Sequence, residues 1–174
     1  GGRVWRSNAG DGVVKVMLYD LQGNQTAVLA SASQDLKTAG SAAAADALTG
    51  LRRNTSQYDA LGRVVRQNLA SGGVIHQIWD RWGNCLSRSD ARDSGMTTSW
   101  TYNASNQVIQ QWQPAKTMFV ESGTPGYASV PAQTLYYYDA LGNLVATRDA
   151  RGNVNGKRYD ADGNVVSEHH ADGG

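Results

Sequence analysis

The stretch Tyr138-Asp139-Ala140-Leu141-Gly142-Asn143-Leu144-Val145 decides how this chain reads. A tyrosine is followed by an aspartate, and a glycine comes three residues later. The aspartate carboxylate accepts backbone N–H groups across a tight turn, as Asx residues do. The glycine fits the left-handed position that closes a bulged hairpin. Leu144 and Val145 then open a strand. The stretch is therefore the end of one strand, a turn, and the start of the next.

The same pattern recurs along the chain. It appears as Tyr19-Asp20-x-x-Gly23, Tyr58-Asp59-x-x-Gly62, Trp79-Asp80-x-x-Gly83, Tyr102-Asn103-x-x-Asn106 and Tyr159-Asp160-x-x-Gly163. The aromatics lie 39, 21, 23, 36 and 21 residues apart. Gly2 precedes Gly23 by 21 residues and reads as the glycine of a further copy. A second glycine stands seven residues before several aromatics, at Gly12, Gly72, Gly95 and Gly152. The unit is turn, strand, turn, strand. Two strands of about six residues, roughly 20 Å each, and two turns account for a period near 21. Tyrosines at equivalent strand ends are expected to stack along the sheet.

The two long spacings exceed 21 by 18 and 15 residues. The extra residues fall at the glycine-at-minus-seven turn, which places inserts at about 33–50 and 114–131 on one edge of the sheet. Ser41 to Thr49 is alanine-rich and suits a short helix. Residues 114–131, with Pro114, Gly123, Pro125, Gly126 and Pro131, read as an irregular loop.

These motifs resemble the YD repeat of the RHS family. Tyr58-Asp59-Ala60-Leu61-Gly62-Arg63-Val64-Val65 and Tyr159-Asp160-Ala161-Asp162-Gly163-Asn164-Val165 carry the likeness, and Asp149-Ala150-Arg151-Gly152-Asn153-Val154 matches its alternating half-repeat. The resemblance covers nearly the whole chain outside the inserts. It implies an all-β strip of antiparallel hairpins, part of a sheet that spirals into a hollow shell. In bacterial members and toxin-complex components such a shell encloses a C-terminal toxin. In the animal relatives, the teneurins, a similar barrel is displayed for adhesion. The autoproteolytic Asp-Pro-x-Gly motif of bacterial shells is missing, since no Asp-Pro pair occurs here. The implied role is structural, with no catalysis of its own. The implied partners are the remaining repeats of a parent chain and an enclosed toxin domain. The implied location is secreted or cell-surface, as part of a larger protein. Glycan or protein binding is the alternative.

Composition agrees with a turn-rich sheet. The 174 residues include 20 Gly but 3 Pro, and 13 Tyr and Trp but 1 Phe. The net charge is +1, from 16 basic and 15 acidic side chains, which argues against nucleic acid as the main ligand. No apolar run is long enough to span a bilayer. Gly1-Gly2 and Asp172-Gly173-Gly174 look cut from mid-pattern, so a fragment of a longer chain is expected. A strip of about 11–14 strands would have open edges, and self-association through them is expected.

The chemistry-bearing residues have structural readings. Asp20, Asp59, Asp80, Asp139 and Asp160 recur by period, whereas a glycosidase needs one carboxylate pair across a cleft. Asp160-Ala161-Asp162-Gly163 looks like the start of a calcium loop, but other copies carry Gln22, Leu61, Trp82, Ser105 or Leu141 where it has Asp162. No metal and no cofactor is expected. Cys85 takes the ladder position of Val64 and Val165 and reads as apolar filler. His169-His170 would point to opposite faces of a strand. Trp82 and Trp112 are the aromatics that would stack on a sugar. Each strand start is apolar on both faces and polar beyond, as at Val64-Val65-Arg66, which fits a strip with two partly wet faces.

Overall fold

In the computed structural model the described residues are 3–7, 13–31, 35–93, 95–120 and 125–171. Gly2 and Gly12 lie outside them. The strands are β1 (Arg6–Ser7), β2 (Lys15–Tyr19), β3 (Gln25–Ala30), β4 (Arg52–Tyr58), β5 (Val64–Asn68), β6 (Val74–Trp79) and β7 (Cys85–Ser89). They continue with β8 (Thr97–Tyr102), β9 (Val108–Val120), β10 (Gly126–Tyr138), β11 (Leu144–Arg148), β12 (Val154–Tyr159) and β13 (Val165–His169). The thirteen strands follow sequence order in an antiparallel sheet, without a crossover. A chain of hairpins gives this order because every connection is short and local. Among the described residues no helix is long and apolar enough to cross a membrane.

The chain divides into two compact units. Unit 1 comprises residues 1–77 and 89–94, and unit 2 comprises residues 78–88 and 95–174.

Unit 1 has a small dry core. Between β3 and β4 lies a strap: a 3-10 turn at Leu36–Thr38, then helix α1 (Ala42–Asp46). Asp35 caps the turn through a bond from the Lys37 N–H at 2.9 Å. Ser41 caps α1 by accepting the Ala44 N–H at 3.1 Å. The strap lies over β2 and β3, where Val16, Ala27, Leu29, Leu36 and Ala45 form one buried cluster. Two arginines hold it. The Arg6 guanidinium donates to the carbonyls of Lys37 and Ala39. The Arg53 guanidinium pairs with the Asp46 carboxylate and donates to the Asp46 carbonyl at 3.0 Å. The short helix within Ser41 to Thr49 was legible from its alanines. Its place on the sheet was not.

Gly73, just before β6, marks another close approach. A Cβ there would lie 2.3 Å from the Ala91 carbonyl oxygen, so no larger residue fits without moving backbone.

Unit 2 differs. None of its described residues belongs to the buried apolar set, and both sheet faces stay partly wet. The expectation of an irregular loop at 114–131 is overturned here: β9 and β10 run through it as a paired ribbon, from Gly126 opposite Val120 to Leu135 opposite Gln110. The reason lies in the register. It shifts between Val130 and Ala132, whose partners are Lys116 and Gln113. Pro114 and Pro131 both fall inside this bulge, where no ladder N–H is required. Near the ribbon tip the Phe119 and Tyr127 rings meet edge to face, 5.6 Å between centroids.

Candidate functional site

The recurring feature is the Tyr-Asp turn, and its pair of backbone hydrogen bonds is the same in every described copy. In the 138–145 stretch, the Asp139 N–H donates to Asn143 O at 3.0 Å and the Gly142 N–H to Asp139 O at 3.1 Å. Gly142 stands at φ +88°, a conformation that costs other L-residues about 1–2 kcal/mol. Asp139 Oδ1 accepts the backbone N–H groups of Leu141 and Asn143, both at 2.9 Å. Its Oδ2 accepts the Asn143 side-chain amide at 2.9 Å.

The residue after the glycine is thus part of the turn. It is Asn at positions 24, 84, 143, 153 and 164, Arg at 63 and Gln at 107. That periodicity stands in the sequence, but the Tyr-Asp-x-x-Gly pattern ends one residue short of it. Arg63 answers Asp59 with an ion pair at 2.7 Å. In the variant copy Asn103 has a donor where the others have Oδ2. Its amide donates to Gln107 Oε1 at 2.9 Å, so the polarity of that bond is reversed. Asn106 adopts φ +60°, the left-handed position that glycine holds elsewhere.

Hydrogen bonding holds the turn carboxylates below the ordinary aspartate value of 3.8. For Asp20, Asp139 and Asp160 the leading cause is the side-chain amide of Asn24, Asn143 or Asn164. For Asp59 it is the Arg63 backbone N–H. For Asp80 and Asp149 desolvation is the largest single influence and pushes upward, but the combined hydrogen bonds outweigh it.

The tyrosines do not stack on one another, contrary to expectation. Equivalent rings sit two strands apart, roughly 9.6 Å at the usual strand spacing, beyond the range of ring pairing. They act through their hydroxyls instead. Tyr19 donates to Val4 O at 2.9 Å, Tyr58 to Gln25 O at 2.7 Å and Tyr102 to Cys85 O at 2.9 Å. Tyr138 donates to Val108 O and Tyr159 to Leu144 O, both at 2.9 Å. Gln25, Cys85, Val108 and Leu144 each lie two residues after the Gly or Asn of the preceding turn. The turn joins one strand pair at this edge, and the tyrosine clasps the next pair, where no chain connection exists. In unit 2 side chains also link neighbouring turns: Asn84 donates to Asn106 Oδ1 at 2.8 Å, and Gln107 to Gly142 O at 2.9 Å.

Tyr138→Phe removes one clasp and leaves the Val108 carbonyl one bond short. We expect a loss of about 0.5–1.5 kcal/mol, read as a lower urea midpoint with unchanged slope. An unchanged midpoint would show that the clasp carries nothing. Burial chiefly raises the pKa of Tyr138, with a smaller push from Tyr136. The clasp therefore persists up to the ordinary phenol value and is lost as pH rises through the folded-state value above it.

Other candidates do not converge. Trp82 sits in the turn between β6 and β7, 64% exposed, with the Arg81 guanidinium 4.1 Å from its ring centroid. One ring face is thus already occupied. Trp112 lies in β9 between Ser99 and Gln133. Cys85 is partly buried, with its thiol 3.4 Å from Ser87 O. Among the described residues no three His, Cys, Asp or Glu side chains gather as a metal site would require. What the repeated geometry does chemically is close one sheet edge at successive strand pairs.

Comparison with known proteins agrees with this repeat. The RHS Repeat family model matches residues 138–174, the stretch with the last two turn copies. Within that stretch the chain is similar to the RHS repeat. Over 163 residues it is 28% identical to the tRNA3(Ser)-specific nuclease WapA of Bacillus spizizenii, a match spanning 88% of this chain and 6% of that protein. Among solved structures, TcdB2-TccC3 matches 89% of this chain and 9% of its own, at 16% identity and a TM-score of 0.43. The Tc holotoxin pore of Photorhabdus luminescens matches 94% and 11%, at 13% identity and a TM-score of 0.42. The chain thus spans a small fraction of each of these relatives.

Proposed function

We propose that these residues form one segment of the wall of an RHS-type shell that encloses a toxin or effector and helps deliver it. The function is containment, without catalysis by the segment itself. One observation carries this reading: at the Tyr-Asp edge, strand pairs not joined by a turn are clasped by a tyrosine hydroxyl. A backbone barrier needs such an edge, whereas an enzyme or a small-ligand site needs a local departure from the period. The 174 residues read as a single repeat segment with inserts at about 33–50 and 114–131. A separate domain of the parent protein would supply any activity, as the nuclease in the name of the WapA relative suggests. The partners would be further repeats of the parent and the enclosed domain.

The coding frame on either side of residues 1 and 174 tests the reading. Tyr-Asp-x-x-Gly repeats at spacings near 21, followed by an unrelated C-terminal domain, are expected. A frame without further repeats would remove the wall.

The second reading, a module that binds glycans or proteins at a cell surface, draws on the exposure of Trp82 and Trp112. Glycan-array binding lost in Trp82→Ala or Trp112→Ala would favour it.

A further inference from the structure

The two inserts leave equivalent positions in opposite states. Leu29 stands six residues after the turn glycine Gly23, and its cross-strand partner is Arg53, five residues before Tyr58. Trp112 stands six residues after Asn106, and its partner is Gln133, five residues before Tyr138. The two pairs hold the same place in the repeat, each in its own unit. In unit 1 the strap folds back over Leu29, which is 0% exposed. In unit 2 the insert runs straight out as the β9–β10 ribbon, and Trp112 is left 39% exposed.

The pairing register defines the rest of the Trp112 face in unit 2. Gln133, Leu135 and Tyr137 share it on β10, and Tyr137 is 44% exposed. Through their partners it continues to Ala146 and Arg148 on β11, then to Val154, Gly156 and Arg158 on β12. Trp112 itself stands among Ser99, Gln110 and Gln133; the apolar side chains Leu135, Tyr137 and Ala146 follow on the next two strands, and the guanidinium groups of Arg148 and Arg158 lie two and three strands away from it. Among the described paired positions of β8 to β13 this face bears no Asp or Glu, and the Lys157–Glu168 pair sits on the opposite face. The strap shows what such a face accepts: Leu36 and Ala45 pressed onto the strands, between Asp35 and Asp46, with an arginine on the Asp46 carboxylate.

We propose that the Trp112 face of unit 2 is a docking surface for a partner polypeptide segment of the same chemistry, a short turn or helix that presents Leu or Ala between carboxylates. Trp112, Leu135 and Tyr137 take the apolar side chains, and Arg148 and Arg158 take the acids. This docking rests on the repeat register and on charge complementarity, and it needs no enclosed toxin.

A fluorescein-labelled peptide of residues 35–48, titrated with the 174-residue chain and followed by anisotropy, tests it. Saturable binding is expected, weakened at least tenfold by Trp112→Ala and several-fold by Arg148→Glu or by raised salt. Trp112→Phe, which keeps an apolar ring should alanine disturb the sheet, is expected to retain most of the binding. Thr147→Ala, on the opposite face, is expected to leave it unchanged. No saturable binding at millimolar protein would overturn the proposal. So would binding that Trp112→Ala leaves intact, or that Thr147→Ala weakens equally.

Discussion

Leu29→Ala is expected to destabilise unit 1 by about 2–5 kcal/mol, the range for truncating a fully buried leucine. Leu29 is 0% exposed and lies between the strap and the sheet, in a cluster with Val16, Ala27, Leu36 and Ala45. The cluster is small, so few neighbours can shift to fill the space, and the cost lies toward the upper part of that range. The strap should feel it first, because Leu36 and Ala45 share the buried cluster with Leu29. Urea unfolding read by hydrogen exchange resolves this: protection of β3 and α1 amides should fall together. Trp112→Ala, at the equivalent place in the repeat, should cost clearly less, since that ring is already partly in water. Equal costs at the two positions would mean that the strap does not set the difference.

Acid is expected to loosen the turns together. Asp20, Asp59, Asp80, Asp139, Asp149 and Asp160 all have folded-state values below the ordinary 3.8. A carboxyl whose pKa is depressed by folding binds fewer protons in the folded state. Its contribution is complete above the unfolded value and is lost as pH falls through the folded one. Stability should therefore be flat near neutrality and decline below about pH 4, near the unperturbed aspartate value. The turn at Asn103 has no titrating carboxylate and serves as an internal control. While the sheet remains folded, Ser105 and Gln107 amides should keep their protection as those of Leu141 and Asn143 lose theirs. Asp139→Asn should lower stability at pH 7, and its cost should shrink as pH falls below the ordinary aspartate value. A pH-independent denaturation midpoint between pH 7 and pH 2 would contradict the assignment of the carboxylates as turn acceptors.

Much of this architecture was written in the sequence, because each turn needs particular atoms at fixed offsets. A carboxylate at Asp139 and a left-handed residue at Gly142 are local requirements, and local requirements repeat legibly. The tyrosine clasp was harder to see. The position of Tyr138 recurs with the turns, but its acceptor, Val108 O, is a backbone atom that any residue supplies. The bonding role of Asn143 was visible as a recurrence and lay just outside the motif. The inserts were located by spacing alone, and their conformations were set by tertiary context. Pro114 and Pro131 read as strand breakers one at a time, yet opposite one another they share a single bulge. The strap helix followed from Ser41 and the alanines, whereas its seat over Leu29 depends on Arg6 and Arg53 reaching it from β1 and β4. Two partly wet faces suit unit 2, but the strap dries one face of unit 1.

The most direct test of the wall is a cryo-electron microscopy map of the natural full-length protein that contains these residues. The wall reading predicts β1 to β13 as consecutive strands of a longer sheet that surrounds a closed volume, with density for a separate domain inside it. A map in which these strands stand apart from other repeats, or border no enclosed volume, would contradict it.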